Sequence, residues 1–541
     1  MKRFSILFFL AVFSIFTGCS STETSTVVND PIIYAEGSAA ADASTQKVYD
    51  GESVVLPDED GIDVRYNEVR QKASHNAYQR DESIIDQLIY HRVRAIEYDL
   101  HTNYGEPVLK LQAAPDGDWL VYHHIADMET NFKLFSQALS QLKGFHEIMP
   151  EHEVITVFFD IGFDAKHTPQ DFDDLISSYI SREWIFTPAD LLNRCTGAST
   201  LKGSVNACGW PYLDELRGKF IFVPTSGSYA GENRKDALER LCFVTGGFGD
   251  VNSVFFNMEY EENDTDPAEV YNAGYVSRVY YADSAEKFAD AKDQKANLIA
   301  INEINSIEYP WSNTFNSSGY PFECIDDPDR IPGDYKEKAD IIGIVSDSGG
   351  LGIAFKDSFT FLYENAANED STWSGIISVP DSFSHSGANA FIMARESLSP
   401  GSPYFAVVRP SSVLPLSVLI RTRENCLPKL IPGLKVTPSG IPWHDAPFVR
   451  LNISNGCKTI SASGSFDGRT WVEIASYTFS MPLNMHGIGT SSDLPGGFKS
   501  LFAGITKATS SDVKKYTSSD LITGEIGKVN NSAVFDGVFP E

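Results

Sequence analysis

The chain reads as an α/β barrel of the TIM type followed by an all-β sandwich, and three observations predict this. Short apolar strands alternate with amphipathic helical stretches from about Val64 to Trp311, the pattern of a parallel sheet or barrel. From about Asp340 helical periodicity fades, and strand-like runs recur about every ten residues between Gly, Ser and Pro turns, as in a sandwich. The length of 541 residues exceeds what one ordinary core accommodates. The expected division is a signal peptide at 1–19, a tether at 20–60, the barrel at 61–335, the sandwich at 340–510 and a polar, unassigned tail at 511–541.

The first segment begins with Lys2 and Arg3, continues with a mostly apolar run from Ile6 to Phe16 and ends Gly18-Cys19. The run is too short to span a bilayer as a mature helix. Its ending resembles a bacterial lipoprotein cleavage site, at which Cys19 becomes the lipidated N-terminus. The alternative is an ordinary cleaved signal peptide. An anchor at Cys19 would hold the protein at the bacterial cell envelope, on the outer membrane or the surface, or else the protein is secreted. Acyl chains contribute about 0.8 kcal/mol per buried CH₂. Residues 20 to about 60 are rich in Ser, Thr, Ala, Asp and Gly and read as a linker.

Within the barrel, Ile84 to His91 has a helical pattern and leads into the strand Arg94–His101. Asn131–Met149 places Phe132, Phe135, Leu139, Leu142 and Phe145 at helical spacing. Val154–Asp160 is a buried strand, Asp171–Ile180 a helix, and Lys219–Val223, Tyr275–Val279 and Leu298–Glu303 further strands. In the second half, strands are expected at Ile353–Phe355, Phe359–Tyr363, Ala390–Ala394, Tyr404–Val408 and Val418–Ile420. Of seven cysteines, six remain beyond Cys19. Cys195 with Cys208 and Cys426 with Cys457 are the expected disulfides, because each closes a loop inside one domain. No Cys/His spacing suggests zinc.

The formal charge of −30 argues against nonspecific nucleic-acid binding and against broad adhesion to an anionic membrane. An anionic substrate would need locally placed Arg, Lys or a metal ion. Candidate chemistry concentrates between Ser74 and His124. Side chains two apart on a strand share a face, so Glu97 and Asp99 point the same way, two oxygen donors suited to a hard cation such as Ca²⁺. Flanking Ile96, Tyr98 and Leu100 argue that one side of this strand is buried. Buried carboxylates cost several kcal/mol unless a cation accompanies them; Arg94 and Lys110 are the plainer partners. His75 and His123 sit at the ends of neighbouring segments.

The runs Ser74-His75-Asn76-Ala77-Tyr78, Arg94–His101, Val121-Tyr122-His123, His146–His152 and Leu216–Val223 resemble the calcium-dependent phosphoinositide-specific phospholipase C family in its compact bacterial form. Weaker similarity runs on through Gly274–Arg278. The resemblance implies a TIM barrel and phosphodiester cleavage of a phosphoinositide or related lipid. It implies His75 and His123 as the catalytic pair, and Asn76, Glu97, Asp99 and Asp160 as holders of Ca²⁺. Arg278 is a candidate contact for the substrate phosphate. Two departures stand out. Ile161-Gly162 follows Asp160 where a basic residue is usual, and Val223-Pro224-Thr225-Ser226 lacks the usual acid. His124 rivals His123, which matches the family position and shares a face with Val121. Ala394–Tyr404 and Ser465–Trp471 resemble jelly-roll, concanavalin-like β-sandwich domains, which pack on enzymes or contact glycans. A glycerophosphodiester phosphodiesterase-like hydrolase is the nearest rival, but such enzymes usually carry His-Arg-Gly where this chain has His75-Asn76-Ala77. A surface-anchored carbohydrate-binding protein with an inactive barrel is the rival from a different class.

Overall fold

The computed structural model describes residues 63–537 apart from 107, 127–128, 226, 232–235, 262–264, 314–320, 331–339, 348–349, 352–354, 367, 381–387, 412–414, 434–445, 493–496, 528 and 530. The expected signal segment with Cys19, the expected tether and most of the expected strand at Ile353–Phe355 lie outside the described residues.

The first half is built on parallel strands in the order Phe220–Pro224, Ile155–Ile161, Ala95–His101, Val69–Ser74, Leu298–Ile301, Val276–Tyr280 and Phe255–Glu259. The ring closes through segment 243–246, which the strand pattern of the sequence did not reveal. Phe243 N donates to Phe222 O at 2.9 Å and Thr245 N to Pro224 O at 3.2 Å, while Gly246 N donates to Phe255 O at 3.1 Å. These few residues bond to the strands on both sides and complete a barrel. Its walls are Val, Ile and Phe buried on both faces, as parallel strands between helices require. The helix Phe135–Ile148 buries Phe135, Leu139, Leu142 and Phe145, the face its spacing predicts. The helix Pro169–Tyr179 starts where Thr168 accepts from Asp171 N and Pro169 takes the first turn, a position that needs no N–H.

The second half is two antiparallel sheets. One runs Val472–Thr478, Thr459–Ser465, Phe448–Ser454, Ser371–Ser378, Phe498–Ala508, Ile341–Asp347, Asn531–Asp536. The other runs Lys429–Pro432, Ser417–Arg421, Tyr404–Pro410, Asn389–Arg395, Met485–Ser491, Phe359–Asn365, Ile522–Ile526. The sandwich thus extends beyond residue 510. The tail left unassigned supplies an edge strand to each sheet and a further short strand, Val513–Lys515, against Phe498–Ala508. Polar composition hid these strands because edge strands bury little.

Cys195 and Cys208 are bonded, with Cα atoms 5.7 Å apart. Cys426 and Cys457 are not: both are free. Cys457 sits in the turn joining Phe448–Ser454 to Thr459–Ser465, with Sγ donating to Glu369 O at 3.4 Å, whereas Cys426 follows Ser417–Arg421 in the opposite sheet.

The sandwich packs on the flank of the barrel formed by the helices Ile84–Ile89 and Phe135–Ile148, and one apolar cluster runs through both halves. Asp86, fully buried, accepts from Ser378 Oγ at 2.7 Å, Val379 N at 3.2 Å and Arg409 Nη1 at 2.8 Å. Gln141 Nε2 donates to Phe466 O at 2.9 Å and Ser140 Oγ to Asp467 Oδ2 at 3.0 Å. A Cβ on Gly144 would stand 2.1 Å from Asp467 O, so glycine is needed where the helix meets this turn. Among the described residues, no helix is long and apolar enough to cross a membrane.

Candidate functional site

The C-terminal strand ends of the barrel gather the residues that the sequence singled out. On Ala95–His101, Glu97 and Asp99 point inward together, each 6% exposed. Asp99 lies opposite Asp160 in the pairing with Ile155–Ile161. His75 directly follows Val69–Ser74 and is fixed to the neighbouring strand by His75 N donating to Ile301 O at 3.0 Å. Asn76 adopts the left-handed region, φ 47°, which asparagine tolerates better than most residues. The turn brings Asn76 N to Glu97 Oε2 at 3.2 Å.

Glu97 is the hub. Besides Asn76, its Oε2 meets Arg278 Nη2 at 2.5 Å and stands 3.8 Å from His75 Nε2. Arg278 is 1% exposed, and its Nη1 donates to Asn257 Oδ1 at 2.6 Å. The expected substrate contact is therefore a buried guanidinium engaged by Glu97 and Asn257. The plainer partners are occupied elsewhere: Arg94 pairs with Glu153 at 2.7 Å and Lys110 with Glu106 at 4.0 Å.

The electrostatics are uneven. Burial and then the charge of Glu97 push Asp99 up to about 8. Burial and Glu97 also raise Asp160. For Glu97, Arg278 and then His75 outweigh burial and hold the carboxyl below its usual range. Burial lowers His75 more than Glu97 raises it, so its imidazole is neutral near pH 7. His123, half-buried, follows Leu120–Val121; its carbonyl bonds His101 Nε2 at 3.2 Å, and it acts on Asp160 electrostatically. His124 is exposed and accepts from Ala126 N at 3.1 Å. His75, Glu97, Asp99, Asp160 and His123 thus form a neighbour-to-neighbour arc along the rim.

Carboxylates outnumber their cationic partner here, and burial together with the charge of Glu97 raises Asp99 and Asp160. Hard oxygen donors in surplus fit Ca²⁺. Among the described residues, no group of three or more His, Cys, Asp and Glu is arranged to hold a metal ion. A shell at this place would therefore draw on the Asn76 amide and water besides the carboxylates.

Sequence reasoning missed several residues around His75. Tyr281 lies edge-on to its ring at 4.5 Å and Tyr280 stacks at 5.6 Å. Asn302 Oδ1 lies 3.2 Å from His75 Nδ1, and Arg80 donates to the carbonyls of Asn76 at 3.3 Å and Asn302 at 3.1 Å. Their signal was position alone: each is close to the C-terminal end of a barrel strand, where chemistry collects in this fold.

Residues 120–324 match the family model described as phosphoinositide phospholipase C, Ca²⁺-dependent. The matched span takes in His123, Asp160, Arg278 and Asn302, while His75, Asn76, Glu97 and Asp99 precede it. Over that span the resemblance read from the sequence holds: residues 120–324 are similar to the calcium-dependent phosphoinositide phospholipase C family, whose members are phosphoric diester hydrolases and lyases. Among solved structures, the chain is similar to a calcium-dependent phosphoinositol-specific phospholipase C from a Pseudomonas species, with 23% identity over 46% of this chain and 94% of that one and a TM-score of 0.38. It is also similar to a Ca²⁺-dependent phosphatidylinositol-specific enzyme from Streptomyces antibioticus, with 20% identity over 45% and 96% and a TM-score of 0.37. A glycerophosphodiester phosphodiesterase from Parabacteroides distasonis is 11% identical over 45% and 96%, with a TM-score of 0.26. No curated protein sequence matches the chain.

Proposed function

We propose that the barrel cleaves phosphatidylinositol-type lipids by attack of the inositol 2-hydroxyl on the adjacent phosphorus, releasing diacylglycerol and a cyclic inositol phosphate. The observation that carries this reading is the rim arc, in which a neutral buried His75 and the half-buried His123 bracket a surplus of carboxylates. His75 accepts the 2-hydroxyl proton. The new phosphorus–oxygen bond forms as the bond to the glycerol oxygen breaks, and His123 delivers a proton to that oxygen. Proton transfer of this kind contributes about 10²–10⁴-fold. Asn76, Glu97, Asp99 and Asp160 would hold Ca²⁺, which when bound favours the ionised hydroxyl and offsets charge on the phosphoryl oxygens. Arg278 keeps Glu97 charged and in place.

A lipid substrate is supported by the loop after the Glu97 strand, where Val108, Leu109 and Leu111 are 77%, 53% and 65% exposed. Attachment at the bacterial envelope through lipidated Cys19 belongs to the same reading, and mass spectrometry of the mature N-terminus tests it. The buried flank favours a packing role for the sandwich over glycan contact.

The deciding experiment is product analysis on phosphatidylinositol with and without Ca²⁺. Cyclic inositol phosphate that disappears with a chelator is expected. Activity indifferent to chelation removes the metal, and hydrolysis of glycerophosphodiesters alone selects the rival phosphodiesterase.

A further inference from the structure

Three barrel strands end side by side at His75. After Leu298–Ile301 comes Asn302, and shortly after Val276–Tyr280 comes Asp283. Asp283 Oδ1 accepts from Asn302 N at 2.6 Å, and Asp283 Oδ2 accepts from Asn302 Nδ2 at 2.6 Å. These two hydrogen bonds to one carboxylate settle which end of the Asn302 amide faces which neighbour. A carboxylate accepts, so the amide nitrogen must face Asp283. The amide oxygen is left facing His75 Nδ1 at 3.2 Å. A carbonyl oxygen only accepts, so Nδ1 must carry the hydrogen.

We infer that Asp283 and Asn302 are positioning residues that keep the hydrogen on Nδ1 of His75, so that whenever the ring is neutral it is the Nδ1–H tautomer with the Nε2 lone pair as its basic site. Nε2 is the atom on the Glu97 side, 3.8 Å from Oε2, where the carboxylates gather. Tyr280 and Tyr281 limit rotation of the ring about its axis, one stacked and one edge-on. Tyr281 does so from φ 65°, a conformation that a bulky side chain adopts only under constraint from its surroundings. Arg80 Nη1, donating to Asn302 O at 3.1 Å, holds the backbone of the relay. The device sets a tautomer through two carboxylate bonds and an amide, a logic also used where a buried acid orients an imidazole.

The catalytic part of this inference rests on the proposed phosphodiester cleavage; the tautomer does not. The test is a long-range ¹H–¹⁵N spectrum of histidine-labelled full-length protein, with His75 assigned by its loss in His75→Gln. The expected spectrum shows a protonated Nδ1 and an unprotonated Nε2. In Asp283→Asn the fixed acceptor is gone and Asn302 can turn, so the expected result is a mixed or inverted tautomer. Turnover of phosphatidylinositol should then fall in proportion to the share of His75 protonated on Nε2, about twofold for an even mixture and further for an inverted one, with KM little changed, because the base is lost from that share of molecules and not the binding site. Asn302→Ala should give the same spectral change and serves if Asp283→Asn does not fold. An Nε2-protonated His75 in the unaltered protein, or variants with unaltered nitrogen shifts, overturns the inference. An Nδ1–H spectrum in a protein that leaves phosphatidylinositol intact upholds the positioning role and rejects the proposed reaction.

Discussion

The strand Ala95–His101 has two ends that treat buried charge in opposite ways. At its foot, Arg92 and Arg94 reach Glu153 at 3.6 and 2.7 Å. Burial alone would raise Glu153, but Arg94, Arg92 and Arg217 outweigh it and hold the carboxyl at about 2. At its head, Asp99 is buried too, but faces Glu97 and Asp160, and stands at about 8. Burial is common to both, so the neighbours decide. A carboxylate surrounded by guanidinium groups secures the barrel. One surrounded by its own kind stores repulsion that a cationic ligand can relieve. This agrees with the division in such barrels between a stabilising N-terminal face and a reactive C-terminal one.

The strongest way to break the comparison is Asp99→Asn. It should lower turnover by about 10²-fold or more, as loss of a ligand or its support does. The metal-free protein should melt no lower than the original, since the cost of holding that acid buried and protonated above its ordinary range has gone. A lower melting temperature in metal-free buffer would show that Asp99 is a structural acid after all. Glu153→Gln should do the reverse. Leaving its arginines without the carboxylate should cost about 3–5 kcal/mol in urea unfolding, with turnover per folded molecule unchanged.

pH separates the two ends by sign. Beside Glu153, His146 Nδ1 and His152 Nε2 lie 3.1 Å apart. Burial holds these imidazoles at about 3 and about 4. Their folded values lie below the ordinary 6.5, so their contribution is present above pH 6.5 and declines as pH falls towards 4 and 3. Glu153 follows with the same sign between 4.5 and about 2. Asp99 has the opposite sign: its folded value is raised, so stability is lost as pH rises from 3.8 through about 8. Melting temperatures of metal-free protein should therefore fall on the acid side through the foot and on the alkaline side through the head. His146→Gln should flatten the acid limb and Asp99→Asn the alkaline one. The smallest effect is expected at the margin of the seam, where Arg469 pairs with Glu147 and is 43% exposed. Arg469→Ala should change stability by less than about 1 kcal/mol.

The sequence disclosed the head of the barrel better than its foot. Glu97 and Asp99 share a face by strand periodicity alone, and His75 and His123 sit at strand ends that apolar runs mark out. Arg278 was visible as a cation on a strand, but its pairing with Glu97 across 181 positions depends on ring closure, which no local pattern encodes. Segment 243–246 escaped notice because it is too short to show a period. The strands after residue 510 escaped because edge strands need little apolar surface. The Cys195–Cys208 bond closes a short local loop, whereas the Cys426–Cys457 pairing failed because proximity in sequence does not imply the same sheet.

The seam between the halves has a consequence for inheritance. Asp86 and Arg409 are buried partners from different folding units, and Gly144 leaves room for one carbonyl of the sandwich. Neither half can exchange its facing surface alone. Relatives that replace the arginine should also have lost the acid opposite it, and those carrying a bulkier residue at the glycine should have rebuilt or discarded the sandwich turn. Genetic shuffling that joins this barrel to a foreign sandwich should therefore yield misfolded chains unless the flank helices travel with it.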